Sequence, residues 1–245
     1  MKKYIKLLII LTSVLILSAL ITGLLIYCGV IHFNNPSEKR YPIRGVDVSA
    51  YQGEVDWEIL SEQGISFAFI KATEGSSFVD RKFADNYDGA MKTGLRIGAY
   101  HFFSYDSSGE NQAKNFISVV PKDDKLLPPV IDLEFYGDKE KNLPAKTKTQ
   151  QELAALIAAL EEHYGKKPII YATEKSYRLY VAGAFVENDI WIRNVFTKPT
   201  LSDGREWTFW QYTNRERLQG YSGVEKFIDM NVFNGTKEDF EKYFD

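Results

Sequence analysis

The sequence is poor in the residues that support several common kinds of chemistry. Its 245 residues include one cysteine, Cys28, and three histidines, so no intrachain disulfide can form and no paired Cys or His ligands for zinc are present. It also lacks a Gly-x-Ser-x-Gly nucleophile motif, a phosphate-binding glycine loop and the spacing of an EF-hand. We therefore expect no metal and no cofactor, and no serine or cysteine nucleophile.

Basic residues are too few and too scattered to indicate nucleic acid as a partner. The 30 Lys and Arg are outnumbered by 33 Asp and Glu, which gives a formal net charge of −3. Removing the three N-terminal lysines from that charge leaves −6 for the rest of the chain. No basic patch with interleaved aromatic residues is present. We expect a monomer that does not bind nucleic acid.

One long apolar run lies at the N-terminus. Residues 7–31 carry no charge, and as a helix they would be about 37 Å long, enough to cross a bilayer. Lys2, Lys3 and Lys6 precede the run and predict a cytoplasmic N-terminus. We divide the chain into a stub with a transmembrane anchor (1–33), a polar linker (34–41) and one globular domain (42–245). A cleaved signal peptide is the alternative, which the length of the run disfavours.

From residue 43 onward, apolar strand-like segments alternate with amphipathic helical ones, the pattern of βα units. Eight strands are predicted, over residues 43–49, 67–73, 95–103, 126–136, 167–173, 189–195, 208–213 and 227–233. This number fits an α/β fold of the (β/α)8-like barrel type, slightly irregular and with some late helices missing. An open doubly wound sheet is the alternative.

Capping residues predict where several helices begin. Two segments match a capping box: Ser107 with Glu110, and Thr149 with Glu152. The last helix, capped by Thr236, is expected to bury Phe240 and Phe244.

Two carboxylates at the end of the fourth predicted strand are central to the functional argument. The segment LLPPVIDLEFY (126–136) places Asp132 and Glu134 at the exit of an apolar strand. Residues i and i+2 of a strand share a face, with Cα atoms roughly 6.6 Å apart, so both acids would face one cavity. Repulsion and partial burial would raise the pKa of one acid while the other stays ionised, as a glycosidase requires. A structural salt-bridge pair is the alternative.

Asp47 and Asp229 lie on the first and eighth predicted strands. Barrel closure places these strands side by side, and active sites lie at the carboxyl ends of barrel strands. We therefore expect Asp47, Asp132, Glu134 and Asp229 to surround one pocket. Such a set could also hold Mg²⁺ or Ca²⁺, but the spacing of a known calcium loop is missing.

Aromatic residues on the same strands indicate a carbohydrate site, because aromatic faces stack on sugar rings. Those expected to contact the substrate are Tyr100, Tyr171, Trp191, Trp210 and Tyr212. His101 ends the third predicted strand and is a further candidate. Packing in the core is the alternative for the aromatic residues, and a hydrogen-bonded structural role is the alternative for His101.

Six segments in this order resemble glycoside hydrolase family 25, the N-acetylmuramidase-type lysozymes. They are RGVDVSAYQGEVDW (44–57), FAFIKATEG (67–75), GLRIGAYHFF (94–103), PPVIDLE (128–134), FWQYT (209–213) and FIDMNVF (227–233). The resemblance implies hydrolysis of the β-1,4 bond between N-acetylmuramic acid and N-acetylglucosamine in peptidoglycan. It also implies that Glu134 is the general acid and that Asp47, Asp132 and Asp229 support it.

One segment departs from the family pattern. Where the family usually has Trp-Ile-Ala followed by an aromatic residue, this chain has WIRNV (191–195). The resemblance therefore does not extend to the substrate contacts on that side of the groove.

Together, these observations predict a lysozyme held in the bacterial cell membrane by a single pass. Its domain would face the wall, and its partners would be peptidoglycan glycan strands and the membrane. In the expected mechanism Glu134 protonates the glycosidic oxygen, while Asp132 stabilises positive charge or orients the 2-acetamido group; direct displacement remains open. The rival functions are a non-catalytic glycan-binding domain and a structural partner in a wall-spanning assembly.

Overall fold

The computed structural model describes residues 2–243, in which a closed barrel follows a long N-terminal helix. The strands are β1 (Arg44–Val48), β2 (Phe67–Glu74), β3 (Phe78–Val79), β4 (Arg96–Phe102), β5 (Val130–Leu133), β6 (Ile169–Thr173), β7 (Ile190–Arg193), β8 (Phe209–Glu216) and β9 (Ile228–Phe233). The helices are α1 (Lys2–Tyr27), α2 (Trp57–Ser61), α3 (Phe83–Ala90), α4 (Gly109–Val119), α5 (Lys146–Tyr164), α6 (Glu174–Ser176) and α7 (Lys237–Lys242). The α6 turn continues into a π-helical turn, Tyr177–Val181.

The eight predicted strands are confirmed, and they close into a barrel in the order β1-β9-β8-β7-β6-β5-β4-β2, with β2 pairing back to β1. The short β3, which the sequence analysis did not predict, forms an antiparallel hairpin with β2 outside this ring. No helix lies between β7 and β8 within the described residues, in agreement with the expected loss of late helices.

The barrel differs from a regular (β/α)8 barrel in its last strand. β9 runs antiparallel to both β8 and β1, whereas the other pairs in the ring are parallel. No helical crossover joins β8 to β9, so the chain turns back directly, and a direct return makes neighbouring strands antiparallel. Asp229 therefore lies near the start of its strand instead of at its exit, yet at the same end of the barrel as the exits of the parallel strands.

Side chains alternate between two apolar clusters along each barrel strand. The interior cluster fills the barrel and consists of Ile43, Phe67, Phe69, Leu127, Val130, Ile169, Tyr171, Trp191, Phe209, Phe233 and Phe240. The outer cluster, which includes Ile131, Leu133 and Trp210, lies between the strands and the helices. Gly98 leaves room for the interior, since a Cβ there would lie 2.5 Å from the ring of Phe69. Neighbouring residues of one strand thus have different surroundings.

Two predicted capping boxes are wrong. Ser108, not Ser107, caps α4 and accepts a hydrogen bond from the backbone N–H of Asn111. α5 begins one turn earlier than predicted, after Ala145, so Thr149 is buried within the helix. The side chain of Glu152 instead accepts a hydrogen bond from the N–H of Gly109, at 2.8 Å, on the neighbouring helix.

The predicted cap of the last helix is confirmed: Thr236 caps α7, and Phe240 is buried. Phe244 lies outside the described residues.

The N-terminal helix and the segment after it differ in their packing. α1 has 26 residues, none of them buried, and it is long and apolar enough to cross a membrane. Residues 34–41 instead lie on the barrel: Asn34 Nδ2 donates to the backbone oxygen of Asn194 at 3.1 Å, and Arg44 Nη2 donates to that of Pro36 at 2.6 Å. Tyr41 is buried against Trp210. The polar linker is thus fixed to the barrel surface.

Candidate active site

A cavity of about 540 Å³ opens at the end of the barrel where the parallel strands terminate. Five carboxylates line it: the four predicted acids, Asp47, Asp132, Glu134 and Asp229, and the exposed Glu225. Asp47 and Asp229 are directly opposite each other in the β1–β9 ladder. Asp132 is in β5 and Glu134 follows it, separated by Leu133, which packs into the outer cluster. The alternation of β5 therefore points both acids toward one cavity, as expected from their spacing.

Two amide side chains hold the aspartates on β1 and β9. Asn231 Nδ2 donates to Asp47 Oδ2 at 2.8 Å, and Gln211 Nε2 donates to the same oxygen at 2.9 Å. Gln211 Nε2 also lies 3.3 Å from Asp229 Oδ2. Trp191 Nε1 in turn donates to Asn231 Oδ1 at 2.8 Å, which fixes the orientation of that amide.

The Tyr171 hydroxyl connects this network to Glu134. Its oxygen lies 3.0 Å from Gln211 Oε1 and 3.4 Å from Glu134 Oε1. A hydroxyl has one proton to donate, so it donates to Gln211 while Glu134 is protonated and can turn to Glu134 when that carboxyl ionises.

Burial raises the pKa of the four predicted acids. The pKa of Asp132 is raised well above its usual range, first by burial and then by the charge of Glu134. Burial raises the pKa of Glu134 as well, while Arg193 and the Tyr171 hydroxyl oppose that rise. Among the described residues, Asp132 Oδ1 is buried without a hydrogen-bond partner. The expectation that only one acid of this pair has a raised pKa is therefore too simple, because the cavity desolvates both.

The aspartate pair on β1 and β9 behaves differently. Burial raises the pKa of Asp229 strongly, and the neighbouring Asp47 adds to this effect. For Asp47, burial also raises the pKa, but hydrogen bonds from Asn231, Gln211 and Asp229 oppose the rise. Asp47 is thus the better ionised of the two, and the protonated form is favoured more strongly for Asp229.

Comparison with known proteins identifies the family. Residues 46–221 match the family described as Glycosyl hydrolases family 25. The chain belongs to this family. A family 25 glycosyl hydrolase from Bacillus anthracis has a solved structure with 56% sequence identity and a TM-score of 0.83, covering 88% of this chain and 98% of that one.

Two curated relatives are also similar in sequence. YegX of Escherichia coli (strain K12), an uncharacterised protein, is 37% identical over 84% of this chain and 74% of its own length. Lysozyme M1 of Streptomyces globisporus is 32% identical over 79% of this chain and 68% of its own length. As a member of family 25, this protein is a glycosidase.

Three of the six predicted substrate-contacting residues line the family 25 cavity: Tyr100, Tyr171 and Trp191. The other three are not among the described residues that line it, and this part of the prediction is corrected. His101 is fully buried between Thr73 Oγ1, at 2.7 Å, and Gln112 Oε1, at 3.0 Å. Trp210 and Tyr212 pack in the outer cluster, where they bond to Asn194 and Arg44.

Strand alternation explains why His101, Trp210 and Tyr212 do not line the cavity. His101 follows Tyr100 in β4, and Trp210 and Tyr212 flank Gln211 in β8. Because adjacent strand residues face opposite sides, a cavity-facing residue forces its neighbours outward.

Sequence reasoning missed Gln211 and Asn231 as parts of the site. Both are buried amides, and both bond to the aspartates. A signal was present for Asn231, which is two residues from Asp229 on the same strand and must share its face. Gln211 is likewise two residues from Phe209, which packs inside the barrel.

Proposed function

We propose that this protein is a membrane-anchored muramidase that cleaves the β-1,4 bond between N-acetylmuramic acid and N-acetylglucosamine in peptidoglycan. It is a peptidoglycan hydrolase of the lysozyme type, as membership of family 25 and the similarity to Lysozyme M1 support. One observation carries the assignment of its chemistry: four carboxylates from three separate strands and the end of β5 meet in one cavity large enough for a sugar.

Glu134 is the general acid in this proposal. Burial raises its pKa, which favours the protonated form that a general acid needs. Glu134 transfers this proton to the glycosidic oxygen as the bond between that oxygen and the anomeric carbon breaks. The resulting carboxylate is stabilised by the Tyr171 hydroxyl and later takes a proton from the attacking water.

Asp132 assists at the anomeric carbon. Its Oδ1 has no hydrogen-bond partner among the described residues, so it is available to the N–H of the 2-acetamido group. Accepting that hydrogen bond would turn the acetamido oxygen toward the anomeric carbon. Because burial disfavours the Asp132 charge in the resting enzyme, its ionised form is most stabilised when positive charge develops on the sugar. Inversion at the anomeric carbon would exclude this route and favour direct displacement.

Asp47 and Asp229 are proposed to position the other two acids and to set their protonation. They are held through Gln211 and Asn231 on the neighbouring strands β8 and β9. The charge of Asp47 raises the pKa of Glu134, which favours the protonated general acid.

The decisive experiment uses the detergent-solubilised chain on purified peptidoglycan, with identification of the new reducing-end sugar. We expect muramic acid ends, and a loss of about 10²–10⁴-fold in kcat for Glu134→Gln. Glu140→Gln, a change of the same kind in an exposed loop, is the control and should retain activity. Glucosamine ends, or unchanged turnover by Glu134→Gln, would contradict the assignment; wild-type binding without cleavage would favour the non-catalytic glycan-binding domain.

The anchor is a separate part of the proposal. An uncleaved α1 would place the protein in the bacterial membrane with a single pass and the barrel on the wall side. We also propose that the protein is a monomer. An N-terminal tag should then remain on the full-length protein in the membrane fraction, and external protease should reach the barrel. Recovery of a shorter, untagged protein in the medium would show instead that α1 is a signal sequence.

A further inference from the structure

The cavity of this glycosidase contains a cation, Arg193, that has no hydrogen-bond or ion-pair partner among the described residues. Arg193 ends β7 and lines the cavity, within the segment where the chain departs from the family pattern. No hydrogen bond or ion pair of its guanidinium is present among the described residues. The five N–H donors of this planar group thus form no hydrogen bond within the part of the chain that the structure describes.

Arg193 is not simply a counterion of the catalytic acids. It lowers the pKa of Glu134 and Asp229 through its charge, yet none of the carboxylates lies within 4.0 Å of it as an ion pair among the described residues. Lys71, which also lines the cavity, is different: its Nζ lies 2.8 Å from Glu74 Oε2 and 4.9 Å from the ring centre of Phe102. One cation is satisfied by the protein, and the other is open to a ligand.

The backbone around Arg193 is held in place on both sides. Arg193 pairs with Thr173 of β6 and Gln211 of β8 in the sheet. The turn that follows is fixed by Asn194, whose Oδ1 accepts from the N–H groups of Phe196 and Thr197 at 2.9 Å each. The backbone at Arg193 therefore needs no reordering when a ligand binds, and the entropic cost is that of ordering the Arg193 side chain.

We propose that Arg193 binds a carboxylate of the substrate, on the lactyl-peptide arm of muramic acid, and thereby selects acidic glycan strands over neutral ones. A planar guanidinium matches a carboxylate through two parallel hydrogen bonds. A cation in the cavity favours such a ligand, since Asp47, the better ionised of the buried aspartate pair, would repel an anionic substrate unless positive charge met its carboxylate. The proposal rests on the muramidase function.

Two sources supply this carboxylate, and three substrates distinguish them. Peptide-free strands carry the free lactyl carboxylate, intact strands carry the free carboxylates of the stem peptide, and strands with all carboxylates converted to amides carry neither. For the wild-type enzyme we expect KM to rise about 10–100-fold on the amidated strands, since hydrogen bonds between charged groups are the strong ones. The acidic strand with the low KM identifies the source.

The variants test the same contact from the protein side. Arg193→Gln should raise KM about 10–100-fold on the acidic strand that is recognised and change it less than about 2-fold on amidated strands. The KM of Arg193→Lys on the acidic strand should lie between those of the wild type and Arg193→Gln, because lysine keeps the charge but lacks the planar guanidinium. Arg178→Gln, the same change on an exposed residue, is the control and should match wild type.

Two results would overturn the proposal: an equal effect of Arg193→Gln on all three substrates, or equal wild-type KM on acidic and amidated strands. An equal effect accompanied by a shifted pH profile would show that Arg193 acts only through Glu134. Absence of wild-type cleavage on every strand would instead refute the muramidase function itself.

Discussion

Two polar clusters lie side by side at the same end of the barrel, and they differ in what completes them. In the cavity, Asp132 Oδ1 has no partner among the described residues, and the acids face open space. Behind the adjacent strand, the ring nitrogens of His101 are satisfied by Thr73 and Gln112. Gln112 in turn bonds to the backbone of Ser104 and Ser107. An incomplete cluster indicates binding or catalysis, whereas a complete one indicates structure.

The faces of the strands decide which cluster a residue joins. Tyr100 and His101 are neighbours in β4, yet Tyr100 lines the cavity and His101 lies against α4. Gln112 Oε1 can only accept, so His101 Nε2 carries the proton and Nδ1 accepts from the Thr73 hydroxyl. The histidine is therefore neutral, and all of its hydrogen-bonding capacity is used within the fold.

The largest expected effect comes from changing Asp132. Asp132→Asn should lower kcat by about 10²-fold or more, because Asn cannot supply the negative charge. It should also increase the free energy of unfolding at neutral pH, because a buried carboxylate with a raised pKa destabilises the fold when it ionises. This gain should disappear toward acid pH, where the wild-type carboxyl is protonated in both states. Urea unfolding between about pH 3 and pH 8 measures it.

Asp138→Asn, the same change in an exposed loop, is the control for Asp132. A variant at Asp132 that lost activity and stability together would show that the acid is structural, and the contrast between the two clusters would fail.

The second largest expected effect is on the stability contributed by His101, which changes with pH in the direction opposite to that of Asp132. Burial lowers the pKa of His101 to about 4 from 6.5, so the unfolded chain binds this proton first. The stability that neutral His101 contributes to the fold is complete above about pH 6.5. It is lost as the pH falls toward 4, by about 3 kcal/mol in total. His101→Gln should remove this dependence, cost about 1–3 kcal/mol at pH 7 and leave kcat of the folded enzyme unchanged.

Chemical unfolding of both proteins across this range, with activity measured in parallel, provides the test. If His101→Gln kept the wild-type dependence on pH, the buried histidine would not be its source. A large loss of kcat would place His101 in the site after all.

Much of the fold could be predicted from the sequence, because strand-forming segments are short, apolar and separated by polar residues. The facing of Asp132 and Glu134 could also be predicted, since Leu133 between them is apolar. The same alternation, applied to Trp210 and Tyr212, would have placed both outside the barrel opposite Phe209 and Gln211. The prediction for these two residues was wrong because it considered that they are aromatic and not which face of the strand they occupy.

Other features depend on contacts that no local pattern encodes. The direction of β9 depends on how the chain returns from β8, and the segment between them gives no helical pattern to predict a crossover. Glu152 matches a capping box, but its carboxylate bonds to Gly109 of another helix. Both outcomes are set by tertiary structure, which overrides local preference.

The smallest expected effects come from deleting the hydroxyls of two tyrosines, Tyr171 and Tyr212, which lie on opposite sides of the barrel wall. Tyr171→Phe and Tyr212→Phe each delete one hydrogen bond, to Gln211 and from Arg44 respectively, and each should cost about 1 kcal/mol of stability. Only Tyr171→Phe should affect catalysis, by about 3–10-fold in kcat/KM. The Tyr171 hydroxyl lowers the pKa of Glu134, so its loss should keep the general acid protonated to higher pH. The alkaline limb of the kcat/KM profile should then shift upward for Tyr171→Phe and stay in place for Tyr212→Phe. A shift in both variants would mean that the two sides of the wall are coupled and that strand face alone does not separate function from structure.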